Sequence, residues 1–168
     1  MKAAAKPKRP DRERAEMSVA VVLAEEPKPK KPRVDGQVTG LAGELFVAAE
    51  LLKRGLQTSI TFGNAKAVDL LAFNPVTGRS FTVQVKSLRS RNYFPISHER
   101  ISARHIYVFA VLNKPGTPVQ YYIVPGQVLV AEPERFGKWF TEERFPGVHP
   151  RFLEDFAENW TPFDAPCA

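Results

Sequence analysis

Two apolar runs joined by a turn constrain this chain more than any other feature. Residues 68–74 and 80–88 both read as strands, and Pro75-Val76-Thr77-Gly78, close between them, has the composition of a turn. Pairing Asn74 with Arg79 across that turn sets the register of the whole hairpin. Asp69 then lies opposite Gln84, with β-carbons about 4.5–5.5 Å apart. Lys86 projects from the same face because side chains alternate along a strand, while Val83, Val85 and Leu70 point to the other. A slip of one residue would scatter the three polar groups.

A helix over residues 40–54 precedes the hairpin. Thr39 is its expected N-cap, Leu41, Leu45, Ala48, Ala49 and Leu52 its apolar stripe, and Lys53-Arg54-Gly55 its stop. A further strand is expected at 58–62. Residues 89–103 are polar and basic, with a short helical piece near 98–103. The nearly continuous apolar run 105–112 reads as a strand covered on both faces, and residues 115–118 turn it into a last strand at 119–124. From Pro125 onward the pattern is of short helices broken by Pro133, Pro146 and Pro150. The order predicts an α/β sandwich with a mixed sheet. Trp139, Phe140, Phe145, Phe152, Phe156 and Trp160 read as a hydrophobic cap or a subunit interface. They do not read as a base-stacking array, because Glu142, Glu143, Glu154 and Asp155 beside them would repel phosphate.

The chain of 168 residues, 43% hydrophobic, suffices for one core. Residues 1–33 read as a disordered, basic, proline-rich tail and 34–168 as a single domain, with a core over 38–124 and a helical cap over 125–168. No apolar run reaches the roughly 18–20 residues of a membrane helix. A single cysteine, Cys167, suits a reducing compartment, so the cytoplasm is the expected location. Net charge is +6, but most of the excess lies in the tail. In the folded part, residues 79–104 are basic and 132–164 acidic, the asymmetry expected of a polyanion-binding face. Arg89, Arg91, Asn92 and Tyr93, with Arg100 and Arg104, are the expected nucleic-acid contacts.

A carboxylate, an amide oxygen and an ammonium on one face suit metal-assisted phosphodiester hydrolysis. Magnesium prefers hard oxygen ligands and keeps several waters, so Asp69, Gln84 and the Val85 carbonyl would suffice. Lys86 would serve the attacking water or the charge developing on the phosphoryl oxygens. Glu44 adds an acid from the helix. His98, His105 and His149 lack metal-ligand spacing and read as surface or packing residues, with His98 a candidate for phosphate contact.

Gly43-Glu44 in a helix ending Leu51-Leu52-Lys53-Arg54-Gly55, then Val68-Asp69-Leu70-Leu71, then Val83-Gln84-Val85-Lys86-Ser87, resembles the PD-(D/E)XK nuclease superfamily. The likeness is to its restriction-endonuclease-like, Holliday-resolvase-like and small homing-endonuclease-like branches, over roughly residues 38–112. It implies an αβββαβ core with a mixed central sheet flanked by helices. It also implies a magnesium- or manganese-dependent endonuclease acting on DNA, with RNA left open. Glu44, Asp69 and Gln84 would be the metal-site residues and Lys86 the catalytic lysine. Gln84 stands where the superfamily usually has an acid; several restriction-type branches use glutamine there, at the loss of one negative charge. A homodimer is expected if both strands are cut. The competing readings are an inactive nuclease-fold module that binds nucleic acid and a protein–protein adaptor.

Overall fold

The computed structural model describes residues 36–61 and 68–163. The basic tail, the apolar run within it and Cys167 lie outside those residues.

Helix α1 spans Gly36–Lys53, strand β1 Gln57–Ile60, β2 Leu70–Asn74 and β3 Arg79–Leu88. Phe94–Pro95 forms the short strand β4, followed by a 3-10 turn at His98–Arg100. Strands β5, His105–Val111, and β6, Gln120–Pro125, lead into α2, Gly126–Ala131. Four more 3-10 turns follow, with the two-residue strand β7, Gly147–Val148, among them. The main sheet is ordered β1-β2-β3-β5-β6, with β3 and β5 parallel and the other neighbours antiparallel. It is therefore mixed, as the sequence predicts. Two expected helical regions are tighter than an α-helix: the piece after β3 is one 3-10 turn, and most of the cap is 3-10 turns. The prolines at 133, 150 and 162 interrupt any longer ladder of helical hydrogen bonds.

The hairpin turn fixes the register. Asn74 pairs with Arg79 and Leu70 with Val83. Asn74 Oδ1 accepts from the backbone N–H of Val76 and Thr77 at 2.9 and 3.3 Å, and its carbonyl accepts from Gly78 N at 2.9 Å. Gly78 has φ +71, a conformation that glycine adopts without a side-chain penalty. The Asn74 amide also donates to the carbonyl of Phe163 at 3.0 Å, tying the turn to the last 3-10 turn.

The orientation of α1 differs from the expected stripe. Leu41, Leu45, Ala49 and Leu52 face outward, and Gly43, Val47, Ala48 and Leu51 face the sheet. The helix is apolar on almost every side, so periodicity alone does not choose a face; close approach to the sheet does. A β-carbon added at Gly43 would lie 2.6 Å from Ser87 Cβ, on β3. The helix also begins at Gly36, which places Thr39 inside it rather than at its cap.

Each face of the sheet has its own core. Val47, Ala48 and Leu51 pack with Leu70, Val83, Ile106, Val108, Ile123 and Phe163 on the α1 side. On the other side Tyr107, Phe109, Tyr122 and Val124 pack beneath Leu129, Phe136, Phe140 and Phe156. Within the main sheet that second layer covers β5, β6 and the Leu88 end of β3. Leu71 and Ser80 stay exposed on the same face of β2 and β3, so the cap stops where the polar hairpin face begins.

Gly43→Ala is expected to destabilise the fold by about 1–3 kcal/mol through overpacking against Ser87. Gly40→Ala, with nothing within 4 Å of the added carbon, is expected to be neutral or to stabilise by about 0.5–1 kcal/mol. Urea unfolding of the two variants checks the contrast.

Candidate active site

Asp69 sits one residue before β2, and its N–H donates to the carbonyl of Val83 at 3.0 Å. Its side chain then takes over where the ladder ends: Oδ2 accepts from Val85 N at 2.7 Å. The carboxylate is thereby fixed against the backbone between Gln84 and Lys86. The N–H and C=O of one strand residue project to the same side, so the Val85 carbonyl also points toward Asp69, past the end of β2.

Glu44 precedes the buried Val47 and Ala48 by three and four residues and shares their side of the helix. Its carboxyl is raised above the ordinary glutamate value, first by burial and then by the Asp69 carboxylate, while the Lys86 ammonium lowers it. These influences place Glu44 near both hairpin groups. Gln84 and Lys86 line a groove of about 930 Å³ with Tyr93, Pro95, Arg100, Ser102, His105 and Arg144 among its walls. On β5, in parallel register, Tyr107 flanks Gln84 and Phe109 flanks Lys86, giving both an apolar side wall.

Asp69 and Glu44 supply carboxylate oxygens and Gln84 an amide oxygen, hard donors of the kind that suits magnesium or manganese. Among the described residues no three His, Cys, Asp or Glu side chains gather as a cation cage.

The expected nucleic-acid contacts divide. Tyr93 and Arg100 line the groove, and Arg104 lines a neighbouring depression over Leu71, Ser80 and Thr82. Arg89 donates to Thr39 Oγ1 on α1 at 3.3 Å, and Arg91 forms an ion pair with Glu154. Asn92 is exposed and lines neither hollow. His98 packs edge-on against Phe140, with ring centroids 5.4 Å apart. His105, which the sequence reads as a surface or packing residue, borders the groove and shares a 2.7 Å hydrogen bond with Thr82 Oγ1. Its link to the site comes from the parallel pairing of Thr82 with His105, which no local pattern reveals.

The aromatic cap also divides. Phe140, Phe156 and Trp160 are buried, whereas Trp139 is 46% exposed and Phe145 67% exposed. Two of the acids expected to repel phosphate are engaged, Glu154 with Arg91 and Asp155 with Arg135.

No family model matches the sequence, and no curated protein does. A bacterial homing endonuclease, I-Ssp6803I, is similar in structure with a TM-score of 0.52 and 20% identity, over 77% of this chain and 91% of that one. The chain has a restriction-endonuclease-like fold. A Holliday junction resolvase from Archaeoglobus fulgidus is also similar, with a TM-score of 0.49, 18% identity, and coverage of 77% of this chain and 98% of that one. In this restriction-endonuclease-like fold the helix, the hairpin and the parallel strand β5 carry the candidate site residues, and the cap walls one side of the groove.

The raised Glu44 carboxyl has a stability consequence. An acid whose folded pKa is raised penalises the folded state once it is ionised, and the penalty vanishes below its unfolded value. Glu44→Gln is expected to match wild type below the ordinary glutamate value and to become the more stable protein as pH rises through the raised value. Melting temperatures across that range, without divalent metal, check the sign.

Proposed function

We propose that this protein is a divalent-metal-dependent endonuclease that hydrolyses DNA phosphodiester bonds. The observation that carries this reading is the 2.7 Å bond from Val85 N to Asp69 Oδ2. It holds a carboxylate between Gln84 and Lys86 at the open end of β2, beside a groove. The fold supports a nuclease reading but does not by itself set an activity.

Asp69, Gln84, the Val85 carbonyl and Glu44 would hold the metal. Magnesium or manganese supplies Lewis acidity at the scissile phosphate when bound. Asp69 provides the negative charge at a fixed position. Glu44 adds a second charge that is easier to ionise once a cation is near, because burial and Asp69 disfavour its charged form in the metal-free protein. Lys86, against the apolar wall of Phe109, presents its ammonium to the groove, where it neutralises charge on the phosphoryl oxygens or orients the attacking water. Arg100 and Arg144 on the groove wall would grip the flanking phosphates, contacts that carry affinity rather than sequence. The cytoplasm is the proposed location.

A homodimer is the proposed assembly, through the outward face of α1. Val38, Leu45 and Leu52 recur every seven residues, with Leu41 between, and all four are about half exposed. That is the spacing of a helix seam that pairs with a second copy of itself.

Lys86→Ala and Asp69→Asn are expected to reduce metal-dependent cleavage of plasmid and oligonucleotide DNA by about 100-fold or more while leaving the circular dichroism spectrum unchanged. Asparagine retains an acceptor for Val85 N, so the second variant tests charge rather than folding. Cleavage by both variants at the wild-type rate would refute the site. A gel shift without metal and without products would favour the inactive binding module instead. Light scattering is expected to give twice the chain mass for wild type and a monomer for Leu45→Glu; a monomeric wild type would refute the dimer.

A further inference from the structure

Beside the groove lies a second hollow that the proposed chemistry does not use. It has a volume of about 410 Å³ and is lined by Tyr93, Phe136, Trp139, Phe145, His149 and Phe152, with Gly147 and Arg151. Tyr93 and Phe145 belong to both hollows, so the two adjoin.

Two features show that the hollow is built rather than left over from imperfect packing. The Tyr93 hydroxyl donates to the carbonyl of Phe145 at 2.6 Å and lies 3.4 Å from that of Trp139, pinning the two exposed aromatic residues from one point. Gly147 N donates to the same Trp139 carbonyl at 2.9 Å. A β-carbon at Gly147 would come within 2.5 Å of the Tyr93 ring, so a glycine is needed for that ring to lie where it does.

The rings are also matched with cations. Lys138 Nζ lies 4.7 Å from the centre of the Trp139 ring, Arg144 Cζ 5.6 Å from Phe145 and Arg151 Cζ 4.5 Å from Phe152. Each cation lies over one face of its ring, so positive charge stands with the aromatic lining of the hollow, a combination that suits a flat π-system attached to a phosphate. Base–aromatic stacking is sequence-tolerant because every nucleobase has such a face. Glu142 and Glu143 lie on the same stretch of chain, and Glu143 lines the groove wall rather than the aromatic hollow.

We infer that this hollow receives an unpaired nucleobase of the DNA bound in the groove, so that the favoured substrate carries an unstacked nucleotide next to the cleaved strand. The inference rests on the reading that the groove holds DNA. It makes the preferred substrate a bulged, branched or single-stranded site rather than uninterrupted duplex.

Tryptophan fluorescence provides the test, since Trp139 is exposed while Trp160 is 3% exposed. The full chain, in chelator to prevent cleavage, is titrated with a short duplex carrying one unpaired adenine and with its fully paired counterpart. The expected result is quenching and about fivefold or tighter binding with the unpaired base, the low end of one stacking contact. Trp139→Ala should abolish that preference and Trp139→Phe should retain most of it. Equal affinity for the two duplexes, or a preference that survives Trp139→Ala, would overturn the inference. So would a dimer that dissociates in Trp139→Ala with DNA affinity unchanged, which would assign the hollow to a second copy. No binding to either duplex would overturn it together with the DNA reading. A Trp139-dependent preference without cleavage when magnesium or manganese is added would support the pocket and refute the nuclease.

Discussion

The whole site depends on where the β2–β3 ladder stops. Strand pairing fixes Leu70 against Val83, and the next step would place Asp69 against Gln84. There the backbone of β2 gives way and the Asp69 carboxylate accepts from Val85 N in its place. A charge-assisted hydrogen bond thus closes the hairpin and holds an acid at the proposed metal position. The same interaction serves folding and the proposed chemistry, which is why it is tested best with asparagine, a substitution that retains an acceptor and removes the charge.

The hairpin was legible in the sequence because its information is local. The stretch from Asn74 to Gly78 sets the turn through hydrogen bonds within five residues, and alternation propagates that register to Gln84 and Lys86, whereas the pairing ends at Leu70, one residue short of Asp69. The face of α1 was not legible. Leucines, valines and alanines surround that helix, and the choice among them depends on how closely the sheet approaches Gly43. The place of His105 at the groove was not legible either, because it arises by parallel pairing with β3 across the crossover of residues 89–104. Tertiary pairing of that kind leaves no periodic trace.

Charge shows the same contrast between composition and placement. The basic stretch after β3 is not one surface: Arg89 is held by α1, Arg91 by Glu154, and Arg100 stands on the groove wall. The acidic end of the chain likewise spends Glu154 and Asp155 on arginines. What remains beside the groove is a mixed wall in which Lys86, Arg100 and Arg144 outnumber Glu99 and Glu143. A modest local excess of this kind can guide a polyanion without a strongly basic domain.

The central claim is that Asp69, Glu44, Gln84 and the Val85 carbonyl form one cation site. Manganese titration followed by electron paramagnetic resonance tests it without relying on activity. The account predicts saturable binding of manganese by the wild type, displaced by magnesium, lost in Asp69→Asn and tightened in Gln84→Glu, which restores a third charge. Binding that is unchanged in Asp69→Asn would contradict it.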